Sequence, residues 1–221
     1  MNGSSRYGLP WTRADRQDYL FVRAFTTFTA ALGELIPEAY TEIRSLVLKD
    51  GYESLLTERN VFQSNAKRRS DVQLAPTSDP LSNPVEESSK NATIHQDLRQ
   101  YMRPDCYQYA EWMMNCVKGE SKITSPATSV LLLWGIEKCY YDAFSEVKKS
   151  DRYESHDESA KKFVEWWTSS EFGKYIDTLQ KAFEEMKNED KEWDSGKGKA
   201  IMKTMLYYEK GFWASAFPVD L

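Results

Sequence analysis

Ser125–Lys149, SPATSVLLLWGIEKCYYDAFSEVKK, is the stretch on which the reading of the fold turns. It opens with a serine suited to cap a helix, followed by a proline at the first helical position, where the missing N–H costs nothing. Trp134, Glu137, Tyr141 and Phe144 then recur at helical spacing, with Val130 and Leu133 nearby. The spacing predicts a helix from Pro126 to about Lys149, apolar on one face and carrying a carboxylate, Glu137, within that face.

Working outward, the same period recurs on both sides. Thr12 with Asp15 reads as a helix start with a capping acid, and the segment from about Ala14 to Leu35 is apolar over most of its circumference. Pro37 is expected to open a second helix running to about Lys67, with a weak point at Gly51. Residues 70–94 hold Pro76, Pro80 and Pro84 among Ser, Asp and Asn, and read as a long, mobile polar loop. Further helices are expected over Pro104–Lys118, from a cap at Ser155 over about Asp157–Thr168, from Ser170 to about Glu189, and from about Gly198 to Phe217. No run alternates like a strand between hairpin turns. The expectation is an all-α chain, residues 1–221 forming a single helical domain with bundle-like helices.

Composition bounds the function. An apolar fraction of 41% with 29% charged residues is ordinary for a globular protein and argues against global disorder. The net charge is −5 and the only dense basic run is Lys67-Arg68-Arg69, so no nucleic-acid partner is expected. Nothing approaches a run of about 18 apolar residues, and Met1–Thr12 has no apolar signal region, so neither membrane spanning nor secretion is expected. Cys106, Cys116 and Cys139 form no CxxC pair, which points to a reducing, cytoplasmic setting rather than a disulfide or zinc framework. Without a signal region, Asn91-Ala92-Thr93 reads as a chance sequon.

Three carboxylates fall on apolar stripes. Asp18 shares a face with Phe21, Phe25 and Phe28, and Glu137 lies within the stripe described above. Glu209 sits among Met202, Met205, Phe212, Trp213 and Ala216. One such acid is usually a satisfied structural group. Three on three helices suggest a shared polar pocket in the core, because a carboxylate on a buried aromatic face is costly unless it is partnered. Tyr109, on a stripe with Trp112, Met113 and Cys116, brings a hydroxyl that needs a partner.

Absences narrow the chemistry further. There are two histidines, His95 and His156, and no Glu-x-x-His, HExxH, G-x-S-x-G or glycine-rich phosphate loop. No metal and no cofactor is therefore expected, and catalysis falls to carboxylates, tyrosines or a cysteine. Cys139 lies about 200° around its helix from Glu137, at 100° per residue, and reads as packing rather than a nucleophile.

These residues carry a resemblance. Gln17-Asp18-Tyr19-Leu20-Phe21-Val22-Arg23-Ala24-Phe25 resembles the "QDYLFVRRF" helix of the TenA, or thiaminase II, family. Trp134-Gly135-Ile136-Glu137-Lys138-Cys139-Tyr140 is similar to "WxIExxY" of the plant-like branch, in which glutamate replaces the active-site cysteine. Tyr208-Glu209-Lys210-Gly211-Phe212-Trp213 looks like the terminal "E..FW" motif. Trp166, ahead of Ser170-Glu171-Phe172, fits the fifth-helix region, and Phe21 stands where the cysteine-type enzymes have tyrosine.

The resemblance implies a haem-oxygenase-like helical bundle that binds no haem. It implies a metal-free hydrolase of thiamin salvage, converting 4-amino-5-aminomethyl-2-methylpyrimidine, or its N-formyl derivative, to the hydroxymethylpyrimidine. By the same resemblance, Asp18 anchors the aminopyrimidine edge and Glu209 holds and protonates the ring nitrogen. Glu137 takes over the cysteine's place as general acid–base. Tyr109 and Tyr140 line the pocket, and Phe21, Phe25 and Trp134 join them as substrate-binding candidates. The implied partner is a small substituted pyrimidine, and the implied assembly a homo-oligomer, dimer or tetramer. Two alternatives stay open: an enzyme of the same fold acting on another small nitrogenous compound, and a non-catalytic small-molecule binder.

Overall fold

The first helix, α1 (Arg13–Gly33), carries apolar residues around most of its surface and is buried accordingly: Leu20, Phe21, Val22, Phe25, Phe28 and Leu32 all lie in the core. Its buried threonine Thr26 is satisfied locally, the hydroxyl donating to the Val22 carbonyl at 2.6 Å. In this computed structural model, residues 13–57, 102–119, 122–155 and 158–216 are described, and they contain helices and turns but no strand. The expected loop at 70–94, both histidines, and the Thr12 cap lie outside the described residues, and so does the side chain of Asp18, although its backbone belongs to α1.

The second helix departs from expectation. Pro37 sits in a turn closed by the Tyr40 amide on the Pro37 carbonyl at 2.9 Å, and α2 begins at Thr41 (Thr41–Ser45). It runs directly into a π-helical segment, Leu46–Gly51, and then a further helical stretch, 52–57. The cause is tertiary. Arg44 turns back onto the end of α1, donating to the carbonyls of Gly33 (3.1 Å) and Ile36 (2.7 Å) and pairing with the Glu34 carboxylate (2.7 Å). Gly33 is the last residue of α1, where helical carbonyls lack intrahelical partners, and its carbonyl also accepts from the Ile36 amide at 3.1 Å. Gly33 permits the approach: a Cβ there would lie 2.4 Å from Leu48 Cδ2. The weak point expected at Gly51 is the last residue of the π segment.

The remaining helices are α3 (Pro104–Lys118), α4 (Pro126–Lys149), α5 (Glu158–Trp167), α6 (Ser170–Glu189) and α7 (Ser195–Ala216), with a 3-10 turn at Tyr153–Ser155 ahead of α5. The expected ends of α3, α4 and α6 hold. The Ser125 hydroxyl accepts from the Thr128 amide at 3.0 Å and donates to Asp190 at 2.6 Å, while Asp190 also accepts from the Ala127 amide at 3.0 Å. One carboxylate just beyond α6 thus secures the start of α4. α6 is capped by Ser169, whose hydroxyl accepts from the Phe172 amide. α7 starts at Ser195 rather than near Gly198, because Asp194 caps it through the Lys197 amide at 2.7 Å. Gly198 is no helix breaker: it packs under Trp193, where a Cβ would meet the indole at 2.4 Å.

α4 is the hub. It packs most extensively on α6 and also against α1, α5 and α7, and almost every residue from Ala127 to Glu137 is buried. At Gly135 the helices α4 and α7 come close, a Cβ there standing 2.5 Å from the tip of Met202. α1 packs on α3, and α3 on α7. Among the described residues no helix is long and apolar enough to cross a membrane.

Candidate functional site

α7 brings Glu209 to the middle of an aromatic cluster. The carboxylate is 3% exposed; one oxygen accepts from the Tyr109 hydroxyl at 2.6 Å and the other from the Trp213 indole N–H at 2.9 Å. Trp213 stands four residues after Glu209, one turn along the same face. Tyr109, fully buried, stacks on Tyr208 (5.6 Å) and touches Phe21 (5.3 Å), while Phe21 meets Phe212 at 4.5 Å. Phe25 forms the next layer, stacked on Phe21 at 5.8 Å.

This setting determines proton affinities. Burial pushes the Glu209 carboxyl up to about 7, and the bonds from Tyr109 and Trp213 pull the other way without cancelling it. Burial, followed by the charge of Glu209, holds the Tyr109 hydroxyl well above its ordinary value. Burial and then the same charge push the Cys139 thiol up to about 12, which leaves it protonated at neutral pH.

Glu137 faces a different space. It is 6% exposed and forms part of the wall of a cleft of about 340 Å³. That volume suits a small ligand, since such pockets run from about 300 to 1,000 Å³. The π segment and the stretch after it supply Leu46, Gly51, Ser54 and Leu55; the corner between α5 and α6 supplies Trp166, Trp167, Ser169, Glu171, Phe172 and Tyr175. Trp167 is nearly closed off from solvent at the inner end, whereas Trp166 is 46% exposed at the mouth. Gly51 gives Tyr175 its space, a Cβ there standing 3.1 Å from the tyrosine oxygen.

Tyr140 joins the two centres. Its ring lies 5.2 Å from Trp213, which holds Glu209, and 5.0 Å from Trp167, which lines the cleft. The structure therefore gathers Glu209, Tyr109, Phe21 and Tyr140 into one cluster and sets Glu137 in an adjoining cleft whose walls do not include Glu209. Trp134 is half-buried, its indole N–H enclosed without a hydrogen-bond partner among the described residues, and it does not line the cleft. Of the stripe drawn through Trp134, Glu137, Tyr141 and Phe144, Tyr141 meets Phe172 and Phe144 stacks on Trp167, two rings of the cleft wall, and Phe144 also meets Trp213 beside Glu209.

Sequence reasoning did not single out Trp213, Trp167, Glu171, Phe172 or Tyr175 as site residues. The Glu209–Trp213 spacing was a usable signal for the first. The others follow from how α5 and α6 turn against α4, which no local pattern states. Among the described residues no three His, Cys, Asp or Glu side chains group so as to hold a metal ion.

Comparison with known proteins gives one result. The model of the TENA/THI-4/PQQC family matches residues 95–218, more than half of the chain. That span covers α3 to α7, with Tyr109, Glu137 and Glu209, and leaves α1 and α2 outside it. No curated protein and no solved structure matches significantly. The family's fold is the helical haem-oxygenase-like one, its members are usually hydrolases, and membership suggests thiamin-related aminopyrimidine chemistry. With an all-helical architecture and a match over more than half its length, the chain belongs to the TENA/THI-4/PQQC family.

Proposed function

We propose that this protein is an aminopyrimidine aminohydrolase of the glutamate-type, plant-like branch, acting in thiamin salvage on 4-amino-5-aminomethyl-2-methylpyrimidine or its N-formyl derivative. The observation that carries the reading is a buried glutamate, Glu137, in the wall of a ring-lined cleft, linked through Tyr140 to a second buried carboxyl, Glu209, that titrates near 7.

The oxygen of water bonds to the methylene carbon, the carbon–nitrogen bond breaks, and the amine, bound as its ammonium form, leaves as ammonia. Glu137 takes the proton that water gives up and later releases it to solvent. By the family resemblance, Glu209, whose proton is neither tightly held nor absent at neutral pH, serves the ring nitrogen and Asp18 the amino edge, which requires the pyrimidine to reach from the Glu137 cleft past Tyr140. Tyr109 keeps Glu209 oriented, and Tyr140 offers its ring to the pyrimidine. Neither a metal nor a cofactor enters this scheme.

The test is ammonia release from the aminomethyl compound by the pure protein. Glu137→Gln and Glu209→Gln should each lower kcat by about 10²- to 10⁴-fold while unfolding cooperatively as the parent does. The placement of Glu209 outside the walls of the Glu137 cleft favours one competing reading, a related enzyme of another small nitrogenous compound. Turnover of neither pyrimidine would select that reading. Failure of the hydroxymethylpyrimidine to raise the Tm as well would select a non-catalytic binder.

A further inference from the structure

We infer that the cleft around Glu137 selects a compact organic cation, and that Glu171 and Trp166 at its mouth read that charge, so that the protonated aminomethyl pyrimidine is preferred to its neutral N-formyl and hydroxymethyl analogues. The choice of these ligands rests on the proposed hydrolase reading; the charge preference itself rests on the walls. Four aromatic side chains line the cleft in an unbroken series. Trp166 meets Trp167 at 5.1 Å, Trp167 meets Phe172 edge-on at 5.0 Å, and Phe172 meets Tyr175 at 5.9 Å. Ring faces attract cations, and indole attracts them best. The ionisable groups other than Tyr175 in the wall are both acids, Glu137 inside and Glu171 at the exposed rim. No Lys, Arg or His belongs to the wall among the described residues.

The opposing feature is the start of α6, whose amides could attract an anion. Part of that helix end is already engaged. Ser169 takes the Phe172 N–H on its hydroxyl and the Gly173 N–H on its carbonyl, and the Glu171 carboxylate sits at the same helix end, accepting from Ser170 at 3.0 Å. Two lysines come near the rim without entering the wall. Lys148 is bonded to the Thr168 hydroxyl at 3.2 Å, and Lys174 acts on Glu171 only through its charge. Among the described residues the wall thus offers aromatic rings and an exposed carboxylate, Glu171, and no basic side chain, which favours a cation over an anion.

The experiment uses the full chain and two variants, Glu171→Gln and Trp166→Ala. Calorimetry at pH 7 measures binding of the aminomethyl compound (a cation) and the hydroxymethyl compound (neutral). kcat/KM is measured for the aminomethyl and N-formyl compounds. The wild type should bind the cation more tightly. Each variant should weaken cation binding by about 3- to 5-fold and neutral binding by less than about 2-fold, as an exposed ring or rim charge implies. Added salt should erode the preference in the wild type and much less in Glu171→Gln. Equal losses for both ligands, no preference in the wild type, or binding of neither ligand would overturn the inference. Cation preference without turnover leaves this inference standing and removes the hydrolase reading. Turnover that is blind to charge does the reverse.

Discussion

At the scale of single residues, Glu209 decides most. Its folded-state value of about 7 stands above the ordinary 4.5, so the native state holds this proton more tightly than the unfolded chain. The associated stability is fully present below about pH 4.5 and is lost as pH rises through about 7, an effect on the order of 3 kcal/mol. Glu209→Gln should remove that slope. Urea unfolding at pH 5 and pH 8 should give the variant nearly equal stabilities, while the parent loses stability at the higher pH. Cys139 is the contrasting case. Held protonated by burial and by Glu209, it should be dispensable. Cys139→Ser is expected to keep kcat within about threefold, and iodoacetamide should alkylate the native thiol far more slowly than a free one; rapid alkylation with loss of activity would restore the nucleophile reading. Both residues were legible in the sequence. Glu209 stood out as a charge inside an aromatic stripe, and Cys139 was set apart by its angle around the helix. The partners that fix their behaviour were harder to see, because Tyr109 lies on another helix and Trp213 looked like one more core ring.

At the scale of elements, legibility followed the local signals. Pro104 and Ser125-Pro126 mark helix starts with chemistry contained in one or two residues, and α3 and α4 begin where those residues stand. The π segment had no such mark. It coincides with Arg44 and Leu48 both reaching Gly33 at the end of α1, contacts between residues more than ten positions apart. π-helical turns are frequent at functional sites, and this one forms a wall of the Glu137 cleft. Gly198 misled in the opposite direction, since a glycine that serves close packing inside the helix looked like the place where the helix starts. Asp190 is the element-scale contact most open to test. It caps α4 from the end of α6, combining two hydrogen bonds with a carboxylate at a helix N-terminus. Asp190→Ala should cost about 1–2 kcal/mol in chemical denaturation, and Asp190→Asn should recover part of it. If the alanine variant is as stable as the parent, the cap is solvated rather than structural.

At the scale of the molecule, the cleft is assembled from two parts of the chain with different standing. α4, α5 and α6 lie within residues 95–218, the span matched by the family model, while Leu46, Gly51, Ser54 and Leu55 lie outside it. The family match therefore covers Glu137 and the ring wall, while the residues that the π segment and the following stretch contribute lie outside the matched span. Gly51 is where the two meet. A methyl there would stand 3.1 Å from the Tyr175 oxygen and 3.5 Å from the Leu46 carbonyl, so the tyrosine must give way. In a helical stretch alanine is otherwise preferred to glycine by up to about 1 kcal/mol. Gly51→Ala should thus leave the Tm unchanged or raised, while KM for the aminomethyl pyrimidine rises severalfold as the wall moves inward. A stable variant with unaltered KM would mean that substrate does not occupy the Glu137 cleft. Binding would then have to be sought beside Glu209, on the far side of Tyr140.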